Sequence, residues 1–362
     1  MPTHVLLIAP SANRVYAEAA LGLTVAEVSV FAQTVLAGRI HNVAATTIAG
    51  LPCVGFEAAE LSTRDIALLS NVSSTYALFA VVGPDLLRPI EQRRLAWFDD
   101  DLITIPKYAG KTNEQFTHLL LNVTLLSSAW ASSLVEGGLR VLDPLCGRGT
   151  TLNQALVYGY DVAGIDLDSK DFEAYGAYLR TYLRRKRIKH NLDTIPVRRN
   201  KRLVARRLTG SVLARGERTL SIDVVHADTT AATEFFKPAS FHAIVADTPY
   251  GVAHGSRTVA AGLRRSPVQL LADAVPGWAR LLRPGGALGL SWNVHVARRS
   301  DAAQVLADAG LTVLDEGPYS QFQHRVDAAI TRDILVAVKP SAGQPAAEAT
   351  AAQPEPAGPA DA

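Results

Sequence analysis

The stretch Leu139-Arg-Val-Leu-Asp143-Pro-Leu-Cys146-Gly147-Arg-Gly149-Thr150 reads as a short buried strand ending in an acid, a turn built on two glycines, and the start of a helix. About a hundred residues later, Phe241 to Ala246 repeats the strand and Asp247-Thr-Pro-Tyr-Gly251 repeats the turn. Working outward, helices are expected over 150–158, 171–187, 268–282 and 301–309. Strands are expected over 161–165, 222–226, 241–246 and 286–291, with a closing pair near 311–315 and 331–338. Alternation of this kind predicts an open, mostly parallel α/β sheet with an antiparallel ending. Before it, Lys107 to Thr117 leads into a long apolar helix expected to end near Ser133.

The first 83 residues carry a different pattern. His4–Ala9, Val43–Ile48, Cys53–Phe56 and Tyr76–Val82 read as strands. Thr24–Arg39 and Thr63–Leu69 read as helices, the second opened by a Ser62/Thr63 cap. The order β-α-β-β-α-β predicts a small ferredoxin-like α+β unit. The expected division is therefore an N-terminal unit over 1–83, a polar connector over 84–101, an α/β domain over 102–339 and a disordered tail over 340–362.

Composition narrows the class. The chain has 362 residues, 48% hydrophobic and 19% charged, with a net charge of +2, as expected of a globular protein with a substantial core. Its two cysteines, Cys53 and Cys146, form no disulfide framework and no Cys/His metal spacing. A reducing cytoplasm is the expected setting. No signal peptide and no apolar stretch of membrane-spanning length is read.

The two turns suggest chemistry. In open α/β sheets, ligands sit beyond the carboxyl ends of the strands. Gly147 and Gly149 allow a sharp turn and close backbone approach to a ligand. Asp143 is placed to accept from the amino group of S-adenosylmethionine. Asp166, about twenty residues on at the next strand end, is placed for the ribose hydroxyls, and Asp228 after the third strand for the adenine amine. The run Gly-Arg-Gly-Thr-Thr-Leu lacks the third glycine of a nicotinamide fingerprint. In the second turn, Asp247 and the Thr248 carbonyl would accept amine protons, Pro249 would stiffen the loop, and Tyr250 would stack on a flat base. Neither cysteine lies where carbon methylation would need a thiolate, and Cys146 reads as a small turn residue.

At these residues the chain resembles the amino-methyltransferases of nucleic acids, whose signatures run D-P-x-C-G-x-G-T and (D/N/S)-P-P-(Y/F/W). It resembles more closely the tRNA guanosine-N2 methyltransferase family, with its D-P-P-Y-G loop and a loop-plus-helix before the cofactor strand. The resemblance implies a Rossmann-like class I methyltransferase sheet with S-adenosylmethionine as cofactor. It adds Asn113 and Phe116, with Cys146 and Thr150, to the residues expected near that cofactor. Two departures stand out. Thr248 replaces the first Pro, which predicts a less rigid loop, and the N-terminal region is too short for a full RNA-binding THUMP module.

A basic insert, expected over 180–218, separates the second and third strands. Between Arg180 and Arg207 lie twelve Lys and Arg residues and one acid, Asp193, so the rest of the chain is net acidic. Such a cluster is the electrostatic footprint of phosphate binding. Arg184, Arg185, Lys186, Arg187, Lys189, Arg198 and Arg199 are the expected nucleic-acid contacts, on an insert expected to hang beside the site. The leading expectation is methylation of an exocyclic base amine, guanosine N2 in tRNA first. DNA adenine-N6 or cytosine-N4 methylation, methylation of a small-molecule amine, and a non-catalytic nucleic-acid-binding protein with a relict cofactor fold stand as alternatives.

Overall fold

The computed structural model describes residues 2–11, 13–83, 86–248 and 267–341. In the N-terminal part, β1 (His4–Ile8), α1 (Arg14–Gln33), β2 (His41–Ile48), β3 (Leu51–Glu57), α2 (Thr63–Ser70), β4 (Thr75–Gly83) and β5 (Leu86–Ile90) follow in order. The sheet order is β2-β3-β1-β4-β5, and every neighbouring pair is antiparallel. The first four strands have the ferredoxin-like arrangement expected. Helix α2 starts at a capping box: the Ser62 hydroxyl accepts from Asp65 N, and the Asp65 carboxylate accepts from Ser62 N.

Three local expectations are corrected here. Helix α1 starts ten residues earlier than its apolar spacing suggested, because the Asn13 side chain caps it by accepting from Tyr16 N. It ends at Gln33, before the left-handed turn at Gly38. By length and composition α1 is also apolar enough to cross a bilayer, which the sequence reading had not recognised in any segment. In the structure it packs against the sheet with Ala26, Val28, Val30 and Phe31 fully buried. Lastly, residues 86–90, expected within the connector, add the edge strand β5.

The second part runs α3 (Asp101–Thr104), α4 (Glu114–Leu126), β6 (Arg140–Asp143), α5 (Thr150–Val157), β7 (Asp161–Asp166), α6 (Ser169–Arg185), β8 (His190–Arg199) and β9 (Arg202–Leu213). It continues with β10 (Thr219–His226), α7 (Ala232–Phe235), β11 (Phe241–Asp247), α8 (Pro267–Leu281) and β12 (Leu282–Asn293). The series closes with α9 (Arg299–Asp308), β13 (Thr312–Leu314), β14 (His324–Arg325) and β15 (Thr331–Val338). The sheet order is β13-β15-β12-β11-β6-β7-β10-β9-β8, with β14 pairing β15. Strands β12, β11, β6, β7 and β10 are mutually parallel, and β15 is antiparallel to β12. This is the Rossmann-like methyltransferase sheet that was expected.

Helix α4 stops short of Ser133. The Ser127 and Ser128 hydroxyls donate back to Val123 and Leu125 carbonyls, and Ala129 N turns away to Gly285 O. The basic insert begins on the last turns of α6, Arg180 to Arg185, and continues as the antiparallel hairpin β8–β9, which extends the sheet beyond β10.

One apolar cluster runs through both sheets, from Leu6 and Phe31 to Val141 and Val224. A buried polar network ties them as well. Glu27, fully buried, accepts from Ser73 N and Oγ and from Asn122 Nδ2. Asn122 Oδ1 accepts from Tyr158 Oη, which also meets His118 Nε2. Burial raises the Glu27 carboxyl to about 7 against the help of these donors.

Candidate active site at the carboxyl ends of the strands

Parallel pairing brings Asp143, Asp166, Asp247 and the end of β10 to one edge of the sheet. Strand β6 lies between β7 and β11, with Asp143 opposite Gly164 and Val141 opposite Ala243. That register sets Asp247 one strand across and two residues beyond the level of Asp143, a Cα separation of about 8 Å from strand spacing and rise.

The first turn is built from the backbone. Gly149 caps α5 at φ +79° and Gly147 has φ +47°, conformations that cost an L side chain strain. Cys146 N donates to Ile165 O at 2.9 Å, and Gly147 N donates to Asp166 Oδ2 at 2.7 Å. The other Asp166 oxygen accepts from Asp168 N at 2.8 Å. Asp166 thus braces the glycine turn from the neighbouring strand, and burial pushes its carboxyl upward. Asp143, 3% exposed, accepts from Leu145 N at 3.0 Å. Burial first, with added repulsion from Asp247 and Asp166, raises it to about 7. A cationic amino group beside Asp143 would offset that penalty. A Cβ built on Gly147 would meet nothing within 4 Å, so the turn leaves an open cradle on this side. Both features fit S-adenosylmethionine. Cys146 is 5% exposed and its thiol is held well above its usual range by burial, which keeps it protonated and suits a small turn residue.

The segment before α4 closes over this turn. Tyr108 Oη and Thr150 Oγ1 are 2.8 Å apart. The Arg148 guanidinium lies 4.9 Å from the Tyr108 ring centroid and donates to Asp171. Asn113 caps α4 by accepting from Phe116 N at 3.0 Å, and its Nδ2 reaches Ser11 Oγ. Phe116 is fully buried, its ring 4.2 Å beneath the Arg332 guanidinium. Asn113 and Phe116 therefore shape the floor of the region through the groups they hold.

Asp247 is held at both oxygens. Oδ2 accepts from Thr112 Oγ1 at 2.5 Å and Oδ1 from Ser291 Oγ at 2.9 Å. Thr248, 2% exposed, donates its N–H and its hydroxyl to the same Ser291 carbonyl, at 2.9 and 2.7 Å. At Thr248 itself the expected loss of rigidity is offset: threonine pins the start of the turn to β12 with two bonds, neither of which proline could make. Pro249, Tyr250 and Gly251, with His254, lie outside the described residues. Beside Thr112, a cavity of about 190 Å³ is lined by Tyr16, Asn113, His324, Ile330 and Arg332. Thr112, Tyr108 and Ser291 were missed in the sequence, since each is an ordinary residue whose role comes from a partner 42 to 135 positions away.

Asp228 caps a short 3-10 turn after β10, with Oδ1 accepting from Thr230 N and Oγ1. It lines a second cavity, of about 490 Å³, with Leu167, Leu203, Val204 and His226. The expected nucleic-acid contacts divide into two groups. Arg184, Arg185, Lys186, Arg187 and Lys189 follow α6 to the amino edge of the sheet, where Lys186 pairs with Asp99 and Asp101. Arg198 and Arg199 lie near the hairpin turn at the carboxyl edge. The insert therefore hangs beside the site at one end only.

Comparison with known proteins agrees with the sheet. Residues 115–285 match the family model described as RMKL-like, methyltransferase domain (UPF0020). No curated protein sequence matches the chain. Among solved structures, TrmN from Thermus thermophilus is similar at 17% identity and TM-score 0.39, over 82% of this chain and 59% of that one. This chain therefore spans less than two thirds of TrmN. A precorrin-6y C5,15-methyltransferase from Geobacter metallireducens is similar at 12% identity and TM-score 0.38, over 68% of this chain and 98% of that one. A TehB-like SAM-dependent methyltransferase from Corynebacterium glutamicum is similar at 16% identity and TM-score 0.32, over 56% and 80%. Likenesses of this depth, to proteins so differently described, select no substrate. The domain match bears out a methyltransferase that uses S-adenosylmethionine.

Proposed function

We propose that this chain, an S-adenosylmethionine-dependent methyltransferase by its fold and its domain match, methylates an exocyclic amine of a nucleic-acid base, with guanosine N2 of tRNA the leading target. The observation that carries the reading is Asp247, fixed by Thr112 and Ser291 about one strand from the cofactor turn. S-adenosylmethionine, when bound, supplies an electrophilic methyl group on a sulfonium. The residues of this chain do the rest by positioning, which is where amine methylation gains most of its rate. Asp143 and Asp166 would hold the amino and ribose ends at the glycine turn, and Asp228 the adenine amine. An Asp247 oxygen would accept one proton of the target amine and aim its lone pair at the methyl. The methyl–sulfur electron pair would stay with the cofactor, and the proton shed by the amine nitrogen would be taken up at Asp247, the acceptor placed for it.

A base in folded nucleic acid must be swung out of its stack to reach this point. The cavity beside Thr112 offers it room, and the motif resemblance favours a purine amine. A role for residues 1–83 in RNA binding, and a cytoplasmic setting, belong to the same proposal. The test is incubation with labelled S-adenosylmethionine and separate pools of tRNA, rRNA and DNA, followed by nucleoside analysis. N2-methylguanosine in the tRNA pool is expected. Label in N6-methyladenine or N4-methylcytosine of DNA would replace the leading target, and label in no pool would refute the nucleic-acid reading. The Asp247→Ala variant is expected to lose transfer and keep S-adenosylhomocysteine binding; retained transfer would remove Asp247 from the mechanism.

A further inference from the structure

The hairpin β8–β9 is joined by a two-residue turn, Asn200-Lys201, with φ +48° and +65°. Left-handed values at both positions make the tight connection whose twist matches paired strands. Arg199 faces Arg202 across it. Its position follows from register. The last residue of β10, His226, pairs with Arg206 of β9. Everything from Arg206 back to the turn therefore projects past the carboxyl ends of the parallel strands, by ~17 Å at the usual strand rise. Four strand spacings, roughly 19 Å, separate β9 from β11 and Asp247.

The projecting tip carries Arg198, Arg199, Lys201, Arg202 and Arg206 and no acid. Arg199 pairs with Glu234, and its guanidinium lies 5.6 Å from the Phe235 ring centroid, which ties the tip to the segment after Asp228. Arg206 pairs with Glu173. Arg198, Lys201 and Arg202 are exposed and have no acidic partner among the described residues. Beside them Leu203 and Val204 are 57% and 44% exposed. The other basic cluster is remote: α6 starts just after the end of β7 and runs back for 17 residues, so Arg184 to Lys189 lie ~25 Å away at the opposite edge.

We infer that the β8–β9 tip is the arm that grips the substrate's phosphate backbone, through Arg198, Lys201 and Arg202, several nucleotides from the base at Asp247, and that the Arg184–Lys189 cluster takes no part. This rests on the nucleic-acid reading above. Charge selects the occupant, since three cations with no acidic partner among the described residues, on a projecting tip at the same edge as the site, match a polyanion. Phosphate contacts of this kind set register and orientation and leave the choice of base to the pocket.

Two triple variants test it, R198Q/K201Q/R202Q and R184Q/R185Q/R187Q, with end-labelled unfractionated tRNA in anisotropy titrations across salt concentration. Loss of three phosphate contacts should make the slope of log K against log salt shallower by roughly 2–3. The tip variant should show that change and a KM for tRNA raised at least tenfold, with S-adenosylhomocysteine binding unchanged by calorimetry. The edge variant should match the wild type. A wild-type slope in the tip variant, or an equal loss in the edge variant, overturns the assignment even while the wild type methylates tRNA. Loss of binding to anionic lipid vesicles alone, with tRNA binding intact, overturns it in favour of a membrane surface. A wild type that neither binds nor methylates any nucleic-acid pool removes the functional reading and the arm together.

Discussion

Gly147 and Gly149 are equivalent in the motif, and the structure predicts that alanine at each will fail differently. At Gly149 the backbone is left-handed, φ +79°, and an added Cβ would lie 2.2 Å from Cε2 and 2.4 Å from Cδ2 of Tyr175. Tyr175 projects from α6 against the turn and is 1% exposed, so a clash there falls within the packed core. Left-handed strain costs about 1–2 kcal/mol, and forcing a side chain into a packed core adds about 1–3 kcal/mol. Gly149→Ala should therefore destabilise the protein by roughly 2–5 kcal/mol, read as a lower midpoint in urea denaturation. At Gly147, φ +47° carries the same kind of strain but the Cβ meets open space. Gly147→Ala should cost only about 1–2 kcal/mol of stability yet weaken S-adenosylhomocysteine binding by about tenfold or more in calorimetry, because the methyl projects into the cradle where backbone approach is needed. Equal stability of the two variants would refute the packing argument. Full cofactor binding by folded Gly147→Ala would refute the placement of the cradle.

Three further outcomes are expected. Thr248→Pro, which brings the loop closer to the family pattern, should destabilise the protein by about 1–3 kcal/mol, since it strips both donors from the buried Ser291 carbonyl; a midpoint equal to wild type in urea would show those bonds to be dispensable. Glu27, raised to about 7 in the fold, contributes stability that is complete below its unfolded value near 4.5 and is lost as pH climbs toward 7. Glu27→Gln should flatten that slope and be the more stable protein at pH 8, by roughly 3 kcal/mol if the whole shift is removed, and parallel stability–pH curves would contradict it. Asp143, raised to about 7, is neutral at pH 6 and charged at pH 8, so S-adenosylhomocysteine should bind more tightly at the higher pH. Asp143→Asn should remove that dependence, and an unchanged profile would move the ammonium contact elsewhere.

The sheet was legible because its parallel strands are buried on both faces and read as short apolar runs separated by turns. The same runs mark where each strand ends, so Asp143, Asp166 and Asp247 could be assigned to one edge before any contact was known. Helix α1 was expected to start too late because its first ten residues, Arg14 to Leu23, hold three alanines and a glycine among few large apolar side chains, so only the Asn13 cap marks where it begins. The hairpin β8–β9 was not anticipated because Arg198 to Arg202 is wholly polar or charged and separates two very short apolar runs, Ile195–Val197 and Leu203–Ala205. Thr112, Tyr108 and Ser291 left no trace, since a hydroxyl that orients a carboxylate 135 residues away looks like any other hydroxyl.

Residue order and spacing, then, were enough to specify the α/β sheet, the glycine turn after β6 and the acid at the end of β11, because apolar runs and the turn residues that bound them are local features of the sequence. Which glycine is packed and which faces open space, how Thr248 is held where the family pattern has proline, and which half of the basic insert projects past the carboxyl ends of the strands were decided only by the fold. Those depend on Tyr175, the Ser291 carbonyl and the β9–β10 register, which are brought into contact by chain segments distant in sequence.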